Sequence, residues 1–564
     1  MTIKPRHHWL LIVASLSCMY FGALREHLRF GMYPLIFNDD SRQYTWTFVM
    51  DRQKDPPPDV LYEYRRATMP IGYKALYAAA AKLGDPRVFS KISPYLLLLS
   101  LILLTGYCAY CLAGPAAAWG STALILSSSI FLERMAGAHP RAFAYPLMAA
   151  MLAALISGRP KFLALWTVLS AAFYPVTAVI GASALTSWMC LSPLERGDAS
   201  QWSVQTRWRL LLITAALCIG ILLPTILATN RFSPQMRVSD LASYPEYGRD
   251  GRYRGEADRP PFGEFWRGAA ESLRLGLEAP VRPWHLPLRR YGDIHNSRLR
   301  LLLFLLVAAG LAVLAKQDAR LRRILYLPAL ILMLHTLSKT FAPSLYLPER
   351  YLIYVFPLLG VLLVPVALSA LPLYFTKLKK TSWARPCATV FLCSLHLLFF
   401  GGRGSHQAGY QIQINKSEWI YPFIATLPPS SVIAGWPGPH AVIDNVPYLT
   451  GRTAFLTFEN HEAYYKGYAD EMRRRTRALI AAYYATDSAP LRRLREEYGV
   501  THIIADPKHF KDRPATYFRP FNLSVREEFD RARTSGKTFE ILKQKDRIKI
   551  YDDSRHFVLD LSKI

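Results

Sequence analysis

The sequence predicts a polytopic α-helical membrane protein that ends in a small α/β domain. Three observations predict it. Apolar residues are gathered into long blocks almost free of charge: Pro94–Leu112, Leu210–Thr229 and Tyr351–Phe375 carry none, and Leu299–Ala315 carries only Arg300. About 20 such residues cross the hydrocarbon core as a helix. Basic residues sit in the short connections between blocks. The stretch after residue 400 then changes character, to short β-branched runs alternating with charged helical ones.

Each element follows in order. Lys4 and Arg6 precede an apolar run, Trp9–Leu24, without a small-residue cleavage pattern, so an uncleaved signal anchor is expected. About ten apolar segments result: 9–24, 94–112, 114–131, 142–158, 162–190, 208–229, 299–315, 324–341, 351–375 and 385–400. Cytoplasmic loops of membrane proteins collect Lys and Arg. Lys4 and Arg6, Arg159-Pro160-Lys161, the basic run 316–323 and Lys377-Leu378-Lys379-Lys380 are therefore expected on the inside. That assignment holds only if the block 162–190 is broken at Tyr174-Pro175 and returns to its own side. Proline removes a backbone donor and clashes with the preceding turn, and broken backbone at membrane depth needs protein or a water-filled cavity around it. An ordinary proline kink is the competing reading.

The expected organisation is a multi-span body over 1–400, with outer loops 25–93 and 230–298, and an extracytoplasmic α/β domain over 401–564. Within the latter, Ser431–Trp436, Thr453–Phe458 and Thr501–Ala505 read as strands, and Ala463–Thr486 reads as a helix. Tyr498-Gly499 reads as a helix end, and Phe539–Leu542 with Ile548–Tyr551 as a closing hairpin. No glycine-rich phosphate loop opens any of these helices, so no nucleotide-binding role is expected.

Composition narrows the function classes. The net charge is +27, from 68 Lys and Arg against 41 Asp and Glu. No nucleic-acid motif accompanies it, and attraction of loop cations to anionic lipid accounts for it, so membrane lipid and not nucleic acid is the expected partner. The seven cysteines lie in or beside apolar blocks, without metal-type spacing and with none after residue 400, so neither a zinc site nor a disulfide framework is expected.

The residues with chemical promise sit in the expected outer loops. Asn38-Asp39-Asp40-Ser41-Arg42-Gln43-Tyr44 holds two adjacent carboxylates close to a membrane face, where they must be solvated, paired or used. Such a pair supplies a general base with a positioning group, or two ligands for a divalent metal, although no third ligand is evident. Arg42 offers a planar set of donors for phosphate. Taken alone, the pair reads first as Asp39 or Asp40 capping a helix over Ser41–Met50, a role compatible with the chemical one. Tyr62–Leu83 reads as a helix able to lie on the membrane. Glu133-Arg134 and His139-Pro140-Arg141 occupy a short turn, where Arg141 opens a helix suited to an anion or snorkels to headgroups. Pro348-Glu349-Arg350-Tyr351 opens the ninth apolar segment. Loop 230–298 has many arginines and no lysine, which suits planar contacts to phosphate or carboxylate, and aromatics that include Tyr244, Tyr247, Tyr253 and Trp266.

A first span, an outer loop with an early acidic pair, helices able to lie on the membrane, a many-span body and a soluble outer tail together resemble the C-type glycosyltransferases. That resemblance implies a catalytic acid at Asp39 or Asp40 and a sugar donor linked to polyprenyl phosphate. It implies phosphate or substrate contacts from Arg42, Gln43, Arg134, His139, Arg141 and Arg350, and inverting transfer to an acceptor at the outer face of a plasma membrane, the inner membrane of a bacterium. The tryptophan-rich acceptor signature of oligosaccharyltransferases is absent from the sequence. The competing classes are a transporter or lipid flippase, for which internal repeats and mid-membrane acids would be expected, and a non-catalytic envelope assembly protein.

Overall fold

The computed structural model describes residues 32–38, 40–53, 59–191, 202–248, 318–341, 348–370, 419–438, 441–553 and 555–564. Shorter described stretches are 13–14, 16–17, 20–22, 24–25, 251, 267–272, 274–276, 307–308, 310–312, 314–315 and 412–413. Asp39, most of 9–24, much of 299–315 and all of 385–400 lie outside them.

A short strand, β1 (Ile36–Phe37), leads into helix α1 (Ser41–Met50). The expected helix Tyr62–Leu83 is two helices, α2 (Val60–Thr68) and α3 (Ile71–Leu83). They part at Met69-Pro70, because the residue before a proline is driven out of the helical region; Met69 is extended at φ −72° and ψ 131°. The Asp59 carboxylate accepts from the Leu61 and Tyr62 amides and caps α2.

The membrane body begins with α4 (Pro86–Ala113). The Asp85 carboxylate caps its start with Pro86 in the first turn, and Gly114 at φ +81° ends it. At 1.5 Å per residue its 28 residues reach roughly 42 Å, more than a hydrocarbon core needs. Helices α5 (Pro115–Ser127) and α6 (Ser129–Met135) follow, then α7 (Ala144–Ile156), α8 (Pro160–Phe173), α9 (Pro175–Leu191) and α10 (Val204–Thr229). Helices α11 (Ala319–Leu325), α12 (Leu327–Thr340) and α13 (Glu349–Ala370) complete the body. Four stretches are long and apolar enough to cross a membrane: Pro86–Ala113, Val204–Phe232, Ala319–Thr340 and Glu349–Leu368. A fifth joins them if Pro115–Leu126 and Ile130–Ala138, bent by 63°, form one span. Pro140–Ile156, Pro160–Phe173 and Pro175–Cys190 are shorter apolar helices. The protein is an integral membrane protein, and the described residues give four or five long spans where the sequence suggests about ten segments.

The block 162–190 is broken at Tyr174, which is extended between α8 and α9. The two helices fold back on each other: a side chain at Gly181 would meet Thr167 Oγ1 at 2.5 Å and Met151 Cε at 2.7 Å. The core of the body is continuous through Leu101, Phe131, Tyr145, Leu163, Ile331 and Leu362.

The C-terminal unit is built on a five-stranded sheet of order β4-β3-β5-β7-β6. Strands β3 (Val432–Gly435), β4 (Thr453–Ala454) and β5 (His502–Ala505) are parallel, and β6 (Lys549–Asp552) and β7 (Phe557–Asp560) run antiparallel at one side. Helices α14 (Ile420–Thr426), α15 (Val442–Thr450), α16 (Lys466–Tyr483), α17 (Ala489–Tyr498), α18 (Arg519–Thr534) and α19 (Glu540–Ile548) surround it. Gly499, left-handed at φ +67°, ends α17 as its sequence suggests. Two strand readings change. The strand at 453 stops at Ala454, and the closing hairpin joins β6 to β7, because Phe539–Leu542 opens α19 instead of pairing.

The unit sits on one end of the helical body. The Arg87 guanidinium at the start of α4 donates to Leu449 O at 3.0 Å, and β1 pairs with β2 (Ile412–Gln413) in antiparallel register. This end of the body also carries Asp40.

Candidate functional site

Asn38 and Asp40 form a tight buried turn at the start of α1. The Asp40 amide donates to Asn38 Oδ1 at 2.9 Å, and Asp40 is 9% exposed. The cap expected of Asp40 does not form. Asp40 occupies the N-cap position with helical backbone angles, and its carboxylate makes no capping hydrogen bond. It pairs instead with the Arg141 guanidinium, 101 residues away.

Two features bring that pair together. Lys91, buried in the first turns of α4, donates to Tyr33 O and Ile36 O at 2.7 Å each and so fixes the approach to Asp40. Opposite it, the turn Ala136–Ala138 presses against the acid. Gly137 has φ +83°, and a Cβ there would lie 2.6 Å from Asp40 Cβ and 2.8 Å from Asn38 Oδ1. Only glycine supplies both that angle and that clearance. Arg141 then falls in the 3₁₀ turn Pro140–Phe143, whose first amides His139 caps: His139 Nδ1 accepts from the Arg141 amide at 3.3 Å. The helix start expected to receive an external anion thus has its guanidinium on Asp40.

His139 is the hub of the positive charge. It is 5% exposed, with its ring edge-on to Tyr44 at 4.6 Å. Burial, and then the charges of Arg141, Arg350, Arg65 and Arg134, hold the imidazole well below its usual range. It is neutral at physiological pH, with Nδ1 as the acceptor. Arg350 donates to the Tyr354 hydroxyl at 3.3 Å, and Tyr354 packs against Tyr145 and Tyr174. The break at Tyr174 thereby supports the arginine that the sequence singled out.

Arg42 and Gln43 are turned away from this cluster. Arg42 is 2% exposed and faces Glu459 (Nη2 to Oε1, 3.7 Å) and Asn445 (Nη1 to Oδ1, 3.4 Å). Gln43 Nε2 donates to Glu459 Oε2 at 3.0 Å. Both residues hold the C-terminal unit, a different task from the phosphate contact expected of them. Asp39 lies outside the described residues. Asp40, Arg134, His139, Arg141 and Arg350 are the predicted site residues brought together.

Sequence reasoning missed Asn38, Gly137, Tyr44 and Arg65 as parts of the site. Arg65, 1% exposed, stacks over Tyr44 at 4.6 Å and is held by Asn460 (3.0 Å) and Glu462 (3.0 Å). The polar run Glu459-Asn460-His461-Glu462, directly after the apolar stretch 454–458, was a readable signal for its partners.

The described part of loop 230–298 also meets the C-terminal unit. Tyr247 is buried with its hydroxyl on Ala463 O at 2.6 Å, and Tyr244 donates to Asp470 at 3.1 Å and lies under Arg473. Glu246 is fully buried and accepts from Arg473 Nε at 2.8 Å. These aromatics are interface residues and are not open for sugar stacking; Tyr253 and Trp266 lie outside the described residues.

No group of three His, Cys, Asp or Glu residues suited to a metal occurs among the described residues. A cavity of about 210 Å³ lined by Leu112, Leu314, Asp318, Leu321 and Val366 lies among the opposite ends of α4 and α13, away from Asp40.

No family model and no curated relative matches the chain. Solved structures do. The apo oligosaccharyltransferase of Archaeoglobus fulgidus is 13% identical over 90% of this chain and 70% of its own, with a TM-score of 0.48. The oligosaccharyltransferase AglB of the same organism, in complex with an inhibitory peptide and a dolichol-phosphate, is 12% identical over 88% and 70%, with a TM-score of 0.46. ArnT from Cupriavidus metallidurans in the apo state is 12% identical over 98% and 97%, with a TM-score of 0.40. All three stand at 12–13% identity, and two of them are oligosaccharyltransferases.

Proposed function

We propose that the protein is a membrane glycosyltransferase that moves a sugar from a polyprenyl-phosphate donor to an acceptor at the outer face of the membrane. The observation that carries this reading is the Asp40–Arg141 pair beside the neutral His139, with Arg134 and Arg350 adding positive charge. A carboxylate and a surplus of guanidinium groups meet at one end of a lipid-embedded body. A lipid-linked phosphate reaches that place laterally from the bilayer, and a water-soluble acceptor reaches it from outside.

In this mechanism Arg141 exchanges partners. As found, it neutralises Asp40. An arriving donor phosphate competes for its planar donors, with Arg134 and Arg350 strengthening the field. Asp40, released, accepts the proton of an acceptor hydroxyl while that oxygen attacks the anomeric carbon. The bond from that carbon to the phosphate oxygen breaks, its electron pair leaves on the lipid phosphate, and the arginines stabilise the new charge. A single displacement with one base inverts the anomeric centre, unlike a retaining pair in which a second carboxylate attacks. Asp39 is the adjacent second acid in this scheme, as a second base or as one ligand of a divalent metal. The body over 1–400 lies in the plasma membrane, with the N-terminus cytoplasmic and the unit over 401–564 extracytoplasmic.

Asp40→Asn and Asp39→Asn test it in cells, read by profiling lipid-linked glycans and surface polysaccharide. The variant at the base is expected to lower transfer by roughly 10²-fold or more, with donor accumulating and membrane insertion unchanged. Full transfer in both single variants rejects the assignment.

A further inference from the structure

The C-terminal unit grips the helix that begins at Asp40. Arg42 and Gln43, in the first turn of α1, share one carboxylate, Glu459, at 3.7 and 3.0 Å. Glu459 is 5% exposed. Its amide and that of Phe458 donate to Asp444, whose other oxygen accepts from Gly438. The residue after Glu459 holds Arg65, which stacks on Tyr44, which lies edge-on to His139. Glu459 therefore reaches the turn of α1 next to Asp40 through an ion pair and a hydrogen bond, and Asn460 reaches His139 through Arg65 and the Tyr44 ring.

We infer that Glu459 is a positioning residue: it fixes the first turn of α1, and through it the direction of the Asp40 carboxylate. This inference rests on the glycosyltransferase reading for its consequence, but not for its physics. A buried guanidinium left without its carboxylate is strongly unfavourable. Removal of Glu459 therefore costs α1 its anchoring even where the sheet stays folded. The C-terminal unit is on this account part of the transfer site, and not a lid over it.

The test is hydrogen–deuterium exchange of the full chain in lipid nanodiscs. In Glu459→Ala, amides over 41–50 are expected to exchange about tenfold faster than in the parent protein, while strands β5 and β7 keep their protection. Removing the buried charge at both ends, in Arg42→Gln with Glu459→Gln, is expected to return α1 towards the parent rate. Unchanged exchange over 41–50 in Glu459→Ala overturns the inference. So does equal loss of protection in β5 and β7, which signals general loosening, and so does a double variant as fast as the single one. Should Glu459→Ala fail to insert, Gln43→Ala removes one of the same contacts and carries the same expectation for 41–50. Transfer is read in parallel. If Asp40→Asn keeps full transfer, the proposed reaction fails while the exchange result stands. If Asp40→Asn abolishes transfer and Glu459→Ala changes neither exchange nor transfer, the reaction stands and this inference fails.

Discussion

Gly137 sets how much room Asp40 has. The acid, Arg141 and His139 were all visible in the sequence, as charged or titratable residues at the edges of apolar blocks. Gly137 was not, because what it contributes is a backbone angle of φ +83° and the absence of one carbon atom. Neither leaves a pattern in a single sequence. The pairing of Asp40 with Arg141 was equally hidden, since it joins residues 101 positions apart. Gly137→Ala is expected to push the turn off Asn38 and Asp40. The left-handed angle alone costs about 1–2 kcal/mol for a residue with a side chain, and contacts at 2.6 and 2.8 Å add to it. Transfer measured by glycan profiling should fall well below the parent level, with insertion intact. Parent-level transfer in Gly137→Ala would show that the turn has slack.

Among the elements, the folded-back pair α8 and α9 was the most readable and the closing strands the least. Tyr174-Pro175 announces its own break by removing a donor from the middle of an apolar run. By contrast, Phe539–Leu542 has the composition of a strand, and only the spacing of its buried residues, Ile541, Gln544 and Ile548, identifies a helix face. The contact of Arg42 with Glu459 was hidden for a related reason: an arginine looks the same in sequence whether it meets a phosphate or an internal carboxylate. The packing of α8 on α9 is tight at Gly181, next to Thr167 and Met151, whereas a side chain at Gly220 on α10 would meet nothing within 4 Å. Gly181→Leu should therefore destabilise the protein by about 1–3 kcal/mol through overpacking. Gly220→Leu should leave stability nearly unchanged. Thermal unfolding of the two variants in one detergent compares them; equal shifts would contradict the tight crossing.

For the whole molecule, the junction between body and C-terminal unit is held by buried charge, and so its stability follows pH. Burial, helped by the charge of Glu459, raises Asp444 to about 7, against the charge of Arg42 and the Gly438 and Glu459 amides. Burial would also raise Glu246, but hydrogen bonds from Arg473 and His461 and the charge of Arg473 bring it down to about 2. The signs are opposite. From Asp444, stability is present while the folded form keeps its proton and is lost as pH rises from 3.8 towards 7. From Glu246, stability is present above 4.5 and is lost as pH falls towards 2. The Asp444 contribution to the unfolding temperature should thus decline from pH 5 to pH 7.5, and Asp444→Asn, which cannot ionise, should lack that decline. A parallel decline in the variant would remove Asp444 as its cause. Membrane class and the presence of a C-terminal α/β unit were legible in the sequence through charge-free blocks and a change of periodicity. The junction was not, because every one of its contacts joins distant segments.

That last property has a consequence for synthesis. Arg42 meets Asn445 across 403 positions, and Gln43 meets Glu459 across 416. β1 waits for β2 in the same way. A ribosome releases α1 long before any of these partners exists. The acid-bearing helix therefore spends most of translation without its anchors, and the site closes only when the last quarter of the chain has folded against it. A chain that stops before residue 445 carries Asp40 without the contacts that hold the first turn of α1.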